Sequence, residues 1–407
     1  MRTRGRIGIL LLLLFRSPLA GAAQDWPRFG GPSCDFTVTN RIAHADWSNT
    51  PPACVWRASL TDNGYAVPSV ADGSVFIIDH EGSNDVVRAL ALASGNEQWR
   101  FVYPDTAAPA NGFARAAPTW DENRLYTLSR LGHLHCLDAR TGKMLWQKHF
   151  IRDFGGQRPG HSFCAPPAVW GDSLYLCPGG AGGCIMALDK RTGASRWRGG
   201  PAAVPGHSIP YITQLSNRDT LLCYSAAALL ALNPLTGETY WTYPRPTQFG
   251  NNIAQPLALN GRILVSSGDG MGTALLEIGK DAARPVWEST GFHTLFPTPV
   301  SVGDLLFISS NTRRQGLTCV SLATGELHWV NPRFDKYTNL LRVGDHVLAL
   351  ESAKGDLVLI EPNASAYREV TRFKPLGKRS WTPPLLAGGL LIIRNESELA
   401  CFRLFPQ

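Results

Sequence analysis

The chain has 407 residues, 44% hydrophobic and 17% charged, with 40 Gly, 29 Pro, 12 Trp, 9 Cys and a formal net charge of +7. This composition excludes a disordered chain, a coiled coil and a collagen-like rod, and it is ample for a large apolar core. The positive charge suggests nucleic acid, but its distribution does not.

Arg2, Arg4 and Arg6 precede an apolar run from Ile7 to Phe15, and Pro18 to Ala23 supplies small residues. Residues 1–23 therefore read as a secretory signal peptide whose apolar run is too short for a stable membrane anchor. Its removal takes four bases and no acid, leaving 35 bases against 32 acids. No nucleic-acid partner is expected. No Cys stands at the cleavage region, so the mature chain is expected to be periplasmic or secreted without a lipid anchor, and no later segment could span a membrane.

Residues 24–51, rich in Pro and Gly around Asp25-Trp-Pro-Arg-Phe-Gly-Gly-Pro32, read as an irregular strap. From residue 52 the chain repeats a phrase. The fullest copy is Ala187-Leu-Asp-Lys-Arg-Thr-Gly-Ala-Ser-Arg-Trp197, and others end at Trp99, Trp146, Trp241 and Trp329. A weaker copy ends at Trp287 and a degenerate one lies near residues 361–370. From Trp56 the Trp spacings are 43, 47, 51, 44, 46 and 42 residues, the period of a four-stranded propeller blade. In each phrase an apolar strand ends in a Thr-Gly turn and a second strand carries the Trp. Upstream, segments such as Pro167-Ala-Val-Trp-Gly-Asp-Ser-Leu-Tyr175 read as strand, turn, strand. The last set, from Ser380 to Leu404, stops after three strands, and the orphan strand around Trp56 supplies the fourth. The expectation is an all-β, eight-bladed propeller over 52–407, closed by its N-terminal strand, with no helix required.

The phrase resembles the tryptophan-docking repeat of pyrroloquinoline quinone (PQQ)-like propellers, and Asp25 to Pro32 is similar to the opening of many secreted members. That resemblance implies two functional classes: quinoprotein alcohol or sugar dehydrogenases, and a propeller lipoprotein that scaffolds outer-membrane β-barrel assembly. Trp56, Trp99, Trp146, Trp197, Trp241, Trp287 and Trp329 are assigned to docking between blades, where an indole can bury about 150–250 Å². The resemblance implies that a quinone site would have an adjacent Cys pair, an indole, a Ca²⁺ ligand set and a base Asp. This sequence has no Cys-Cys pair and no haem-attachment motif. Asp269, in a Gly-rich stretch, reads as a hairpin residue rather than a Ca²⁺ ligand.

Binding remains. Repeat geometry puts the residues just before each inner-strand Pro at one mouth of the channel: Tyr65, Arg115, His161, His207, Asn251, Asn252, His293, Tyr337, Arg379 and Trp381. The three His invite a metal, but equivalent positions around a wide ring do not converge to about 2 Å from one ion, and no metal is assigned. Nine cysteines leave at least one unpaired. Cys136, Cys319 and Cys401 sit at the small-residue slot of the repeat and read as packing. Cys177 with Cys184, and Cys34 with Cys54, are the candidate disulfides. The sequence thus points to a monomeric, non-catalytic binding or scaffold propeller without cofactor, serving a protein partner or a small polar ligand. The alternative is a PQQ- and Ca²⁺-dependent oxidoreductase with an atypical pocket.

Overall fold

In a computed structural model of the chain, the described residues are 25–405 except 41, 43–44, 62, 107–111 and 313–314; the proposed signal peptide lies outside them. The strands form eight sheets, each with four consecutive antiparallel strands of the ring. Blade 1 runs through Ser69–Ala71, Ser74–Glu81, Asn84–Ala91 and Glu97–Pro104. Blades 2 to 7 repeat that order, with inner strands Thr119–Asp121, Ala168–Trp170, Tyr211–Leu215, Leu257–Leu259, Val300–Val302 and Asn339–Val343. Blade 8 takes its first three strands from Leu385–Ala387, Leu390–Arg394 and Glu398–Arg403 and its outer strand from Ala53–Ser59. Trp56 there pairs with Cys401, so the two ends of the propeller share one sheet. Two short helical turns depart from the all-strand expectation, Phe150–Phe154 and a 3-10 turn at Gln248–Gly250.

The second and third strands of each blade are almost wholly buried, the innermost strands are mostly buried or half-buried, and the outer strands are largely exposed or half-buried. Apolar inner strands follow because both faces of a blade pack against neighbours. The residue opposite six of the seven docking Trp is Ala or Cys, as where Ala89 pairs with Trp99, Cys136 with Trp146, Ala187 with Trp197 and Cys319 with Trp329, whereas Trp287 faces Leu275.

The seams have a common mechanism. Six of the seven docking indoles reach across to the hairpin of the following blade. The ring N–H donates to a backbone oxygen there: Trp56 to Leu92 (2.7 Å), Trp99 to Ala139 (3.0 Å), Trp146 to Lys190 (3.3 Å), Trp197 to Pro234 (3.0 Å), Trp287 to Leu322 (2.9 Å) and Trp329 to Asn363 (2.8 Å). In five of these seams the ring itself covers the turn glycine: Gly95, Gly142, Gly193, Gly237 and Gly325. At Gly237, φ is +75° and a Cβ would fall 2.5 Å from Trp197. Gly is therefore required twice, for the left-handed backbone and for the bare surface the indole covers. Asp138 and Asp189 hold these turns by accepting from the amides and hydroxyl of Thr141 and Thr192. Trp56 and Trp241 are buried, but the other five are only half-buried at the outer rim, so the full indole area is not removed from water.

The strap crosses one end of the channel. Trp26 bridges Val70 of blade 1, Trp120 N–H of blade 2 donates to Pro27 O (2.8 Å), and Arg28 Nη1 donates to Val169 O of blade 3 (3.1 Å). Thr37–Val38 then pairs in parallel with Arg342 and Val343 on the inner strand of blade 7. Trp47 leaves the channel region to pack edge-on against Phe373, its N–H donating to Thr371 Oγ1.

Between blades 1 and 2 the seam is polar. His80 Nδ1 is 2.9 Å from Asp85 Oδ1, Tyr103 Oη donates to Asp85 Oδ2 (3.1 Å), and Arg130 Nη2 donates to Asp105 Oδ1 (2.7 Å). His135 packs 4.5 Å from the Tyr103 ring, with His133 and His149 on the same face. Burial, helped by the neighbouring His133, pushes His135 down to about 4, while burial pushes Asp85 up to about 6.

Two tests follow from these contacts. Trp197→Ala, measured by chemical denaturation, is expected to cost about 2–4 kcal/mol, below a fully buried Trp, and a loss under about 1 kcal/mol would contradict the docking role. An unfolded His binds a proton below about 6.5, which His135 refuses in the fold, so its stability contribution is present above that pH and lost as pH falls toward 4. Asp85 has the opposite sign, its contribution being lost as pH rises through about 6. Thermal melts between pH 6.5 and 4 should therefore flatten in H135Q and steepen in D85N.

Candidate functional site: an axial cavity with a divided rim

Capping of one channel end by the strap leaves a cavity of about 410 Å³ on the propeller axis. Its floor includes Phe29 and Phe36 from the strap, packed edge-to-face at 5.0 Å, with Val67, Pro166, Leu340 and Pro383 from inner strands and their approaches. Its rim takes one residue from the approach to each inner strand. In ring order from blade 1 these are Tyr65, Arg115, His161, His207, Asn251, Phe296, Tyr337 and Trp381.

The order matters. Blades 6, 7, 8 and 1 contribute a continuous aromatic arc: Phe296 stacks on Tyr337 (5.1 Å, 13°), Tyr337 meets Trp381 at 5.1 Å, and Trp381 meets Tyr65 at 4.8 Å. Blades 2 to 5 contribute Arg115, two imidazoles and an amide. His161 and His207 lie 6.2 Å apart between ring centres. Arg115 spans to blade 3, its guanidinium donating to His161 O and lying 3.9 Å from Cys164 Sγ, with Nη2 donating to Gly112 O (3.4 Å). Asn251 stands at the end of the 3-10 turn, which Asp269 holds by accepting from Gln248 N (2.9 Å) and Asn251 Nδ2 (3.5 Å). Asp269 is thus a turn anchor. Burial, with the charges of His207 and Arg115, lowers His161 below its ordinary value, which keeps the imidazole neutral near pH 7.

Three of the ten expected mouth residues lie elsewhere. Asn252 is fully buried, its Nδ2 donating to Ser225 O (2.8 Å) and Arg245 O (2.9 Å) and its Oδ1 accepting from Ser267 Oγ (2.7 Å). His293 is buried behind the rim, next to Asp269 and Arg245. Arg379 lies outside, over the Trp381 ring at 4.9 Å and 3.5 Å from Glu396. Each sits one to three positions from the rim residue of its repeat, in the loop that leads to the inner strand, and its own contacts hold its side chain off the axis. Phe296 stands three positions before Pro299 as Trp381 stands three before Pro384, so the repeat slot itself marks it. Phe29 and Phe36 carry no repeat signal because the strap does not repeat.

The cysteine expectations need correction. All nine are thiols. Cys34 is buried in the strap and Cys54 is exposed on the outer strand of blade 8, so they do not meet. Cys177 does not bridge Cys184; its sulfur lies against Cys223 of the next blade. Among the described residues no group of three or more His, Cys, Asp or Glu is arranged to hold a metal ion.

The PQQ_2 family model, described as "Outer membrane protein assembly factor BamB", matches residues 83–331. The chain belongs to this family. Relatives fall into the two classes that the repeat suggested. An outer membrane protein assembly factor BamB from Shewanella oneidensis is 20% identical over 71% of this chain and 74% of its own length, and one from Moranella endobia is 24% identical over 63% and 69%. The quinohemoprotein alcohol dehydrogenase of Comamonas testosteroni is 27% identical over 44% of the chain, which spans only 26% of that enzyme. In fold, BamB from Moraxella catarrhalis superposes with a TM-score of 0.63 at 18% identity, covering 86% of this chain and 98% of that one. A europium-containing methanol dehydrogenase reaches 0.67 at 11% identity, covering 94% and 98%.

A family quinone with its metal ion would need carboxylate ligands. Among the described residues no Asp or Glu lines this cavity, and the one thiol of that lining, Cys164, has no adjacent Cys. The residues present do not fit that group.

The division between rim and scaffold is testable by stability. Asn252→Ala should cost about 2–3 kcal/mol in denaturant melts by orphaning buried polar partners, while Arg379→Ala, an exposed pair, should cost less than about 1 kcal/mol.

Proposed function

We propose that the chain is an extracytoplasmic, non-catalytic binding propeller and that the open mouth of the axial cavity is its binding surface. The observation that carries this reading is the divided rim: an aromatic arc from four consecutive blades faces a hydrogen-bonding, basic arc from the other four. Rigid inner strands hold one contact per blade, so little conformational entropy is lost when an occupant is bound. The occupant that fits has an apolar or aromatic face for Tyr65, Phe296, Tyr337 and Trp381 and hydrogen-bonding atoms for Arg115, His161, His207 and Asn251. Such an occupant is a projecting segment of a protein partner, in keeping with the relatives named as assembly factors. The basic arginine-rich leader supports export of the chain to a compartment where that partner resides.

The quinoprotein reading has the fold in its favour but not the donor set, since the described lining carries no acid to hold a cation.

Site-specific photo-crosslinking in the intact host separates these readings. A crosslinker at Tyr337 should capture a discrete protein, and Trp381→Ala should abolish the adduct while leaving the melting temperature close to wild type. A crosslinker at Leu235, 71% exposed on a blade 4 turn, is the control. Adducts equal at both positions, or stoichiometric PQQ binding with dye-linked alcohol oxidation, would overturn the proposal.

A further inference from the structure

Three of the nine cysteines meet at the seam between blades 3 and 4. Cys177 follows the second strand of blade 3, Ser173–Leu176, and Cys184 immediately precedes the third, Ile185–Asp189. Cys223 lies in the second strand of blade 4, Arg218–Tyr224. All three are buried in one apolar cluster with Tyr175, Ile209 and Leu230. Cys177 Sγ and Cys223 Sγ are 3.2 Å apart, and a small rotation about each Cα–Cβ bond covers the remaining distance to the ~2.05 Å of a disulfide.

The backbones on either side are already fixed. The segment between the blades is laced to both: Gly180 N–H donates to Ala203 O (3.0 Å), Gly206 N–H to Tyr224 O (2.9 Å) and Ala226 N–H to Val204 O (2.9 Å). The two sulfurs are therefore presented to one another by the fold and not by a chance side-chain excursion. The same segment ends at His207 on the cavity rim.

We propose that Cys177 and Cys223 are a disulfide-forming pair that staples blade 3 to blade 4 when the protein is oxidised, Cys184 remaining a thiol. The oxidant is a small disulfide such as oxidised glutathione. One thiol, as its thiolate, attacks the incoming disulfide and releases one glutathione thiol. The second thiolate then attacks the mixed disulfide, forming the Cys177–Cys223 bond and releasing the other. Two electrons and both thiol protons end on two molecules of reduced glutathione. Hydrogen bonding with Cys177 and Cys184, together with burial, holds the Cys223 thiol well above its ordinary pKa, so the exchange belongs to folding, before the seam excludes solvent. The bond joins positions 46 apart in the sequence, constraining the unfolded chain.

The full chain is exposed to oxidised glutathione both folded and during refolding, alkylated in denaturant, digested and mapped by mass spectrometry without reductant. The expected result is a peptide linking 177 to 223 and the loss of two of the nine titratable thiols. C184A should keep that link, and C223A should remove it and free Cys177. Reductant should lower the melting temperature of the oxidised wild type by a few degrees and leave that of C177S unchanged. Nine free thiols under both conditions, or a link from Cys184 to either partner, would overturn the proposal; the wild-type map decides even if a variant fails to fold.

Discussion

The structure depends on one repeated contact, an indole laid over a glycine turn in the next blade with its N–H on a backbone oxygen there. A single blade buries neither of its faces, so its sheet is stable only between two neighbours. The Trp sets the angle and separation of those neighbours, and the Thr-Gly turn is shaped to receive it. Because the contact is directional, each such blade dictating the seat of the following one, six hydrogen-bonded copies together with the strand pairing that completes blade 8 close a ring whose axial space is set by geometry before any binding residue is chosen.

That ring separates two design problems. The seams carry the repeat and tolerate little change. The approach to each inner strand lies outside the docking contact, and there the eight copies diverge into Tyr, Arg, His, His, Asn, Phe, Tyr and Trp. Grouping them into two arcs gives the cavity a chemical polarity that an eight-fold repeat would not have by itself. Asn252 and Asp269 stand behind the arc, holding the backbone of blades 4 and 5 so that His207 and Asn251 face inward.

Much of this was legible in the sequence for a physical reason. A repeated contact repeats its residues, so blade count, the closing strand near Trp56 and the approximate rim followed from period alone. Tyr65, Arg115, His161, His207, Asn251, Tyr337 and Trp381 reach the cavity as the repeat slot indicates. Asn252, His293 and Arg379 do not, because in the irregular loop before each inner strand one position faces the channel and its neighbours turn to the core or the exterior, which a repeat slot does not resolve. The floor was not legible, since Phe29 and Phe36 belong to a segment used once. Nor was the sulfur contact: Cys177 and Cys184 are close in sequence, but Cys177 meets Cys223, whose proximity is created by packing between blades.

The N-terminal strap and the outer strand of blade 8 also impose an order on folding. Trp47 hydrogen-bonds to a residue 324 positions away, and Arg57 forms an ion pair with Glu398, 341 positions away. The first residues to emerge from synthesis or translocation are thus among the last to find their partners. Until the final strand arrives, the growing stack has an unfilled strand place at one end and an uncapped channel along its axis. Contacts of such long sequence separation form slowly because of their loop-closure entropy. During that interval the chain presents open sheet edges, the surface that protective factors and misassembly compete for. Closure is then a checkpoint: only a chain complete to its last strand hides those edges.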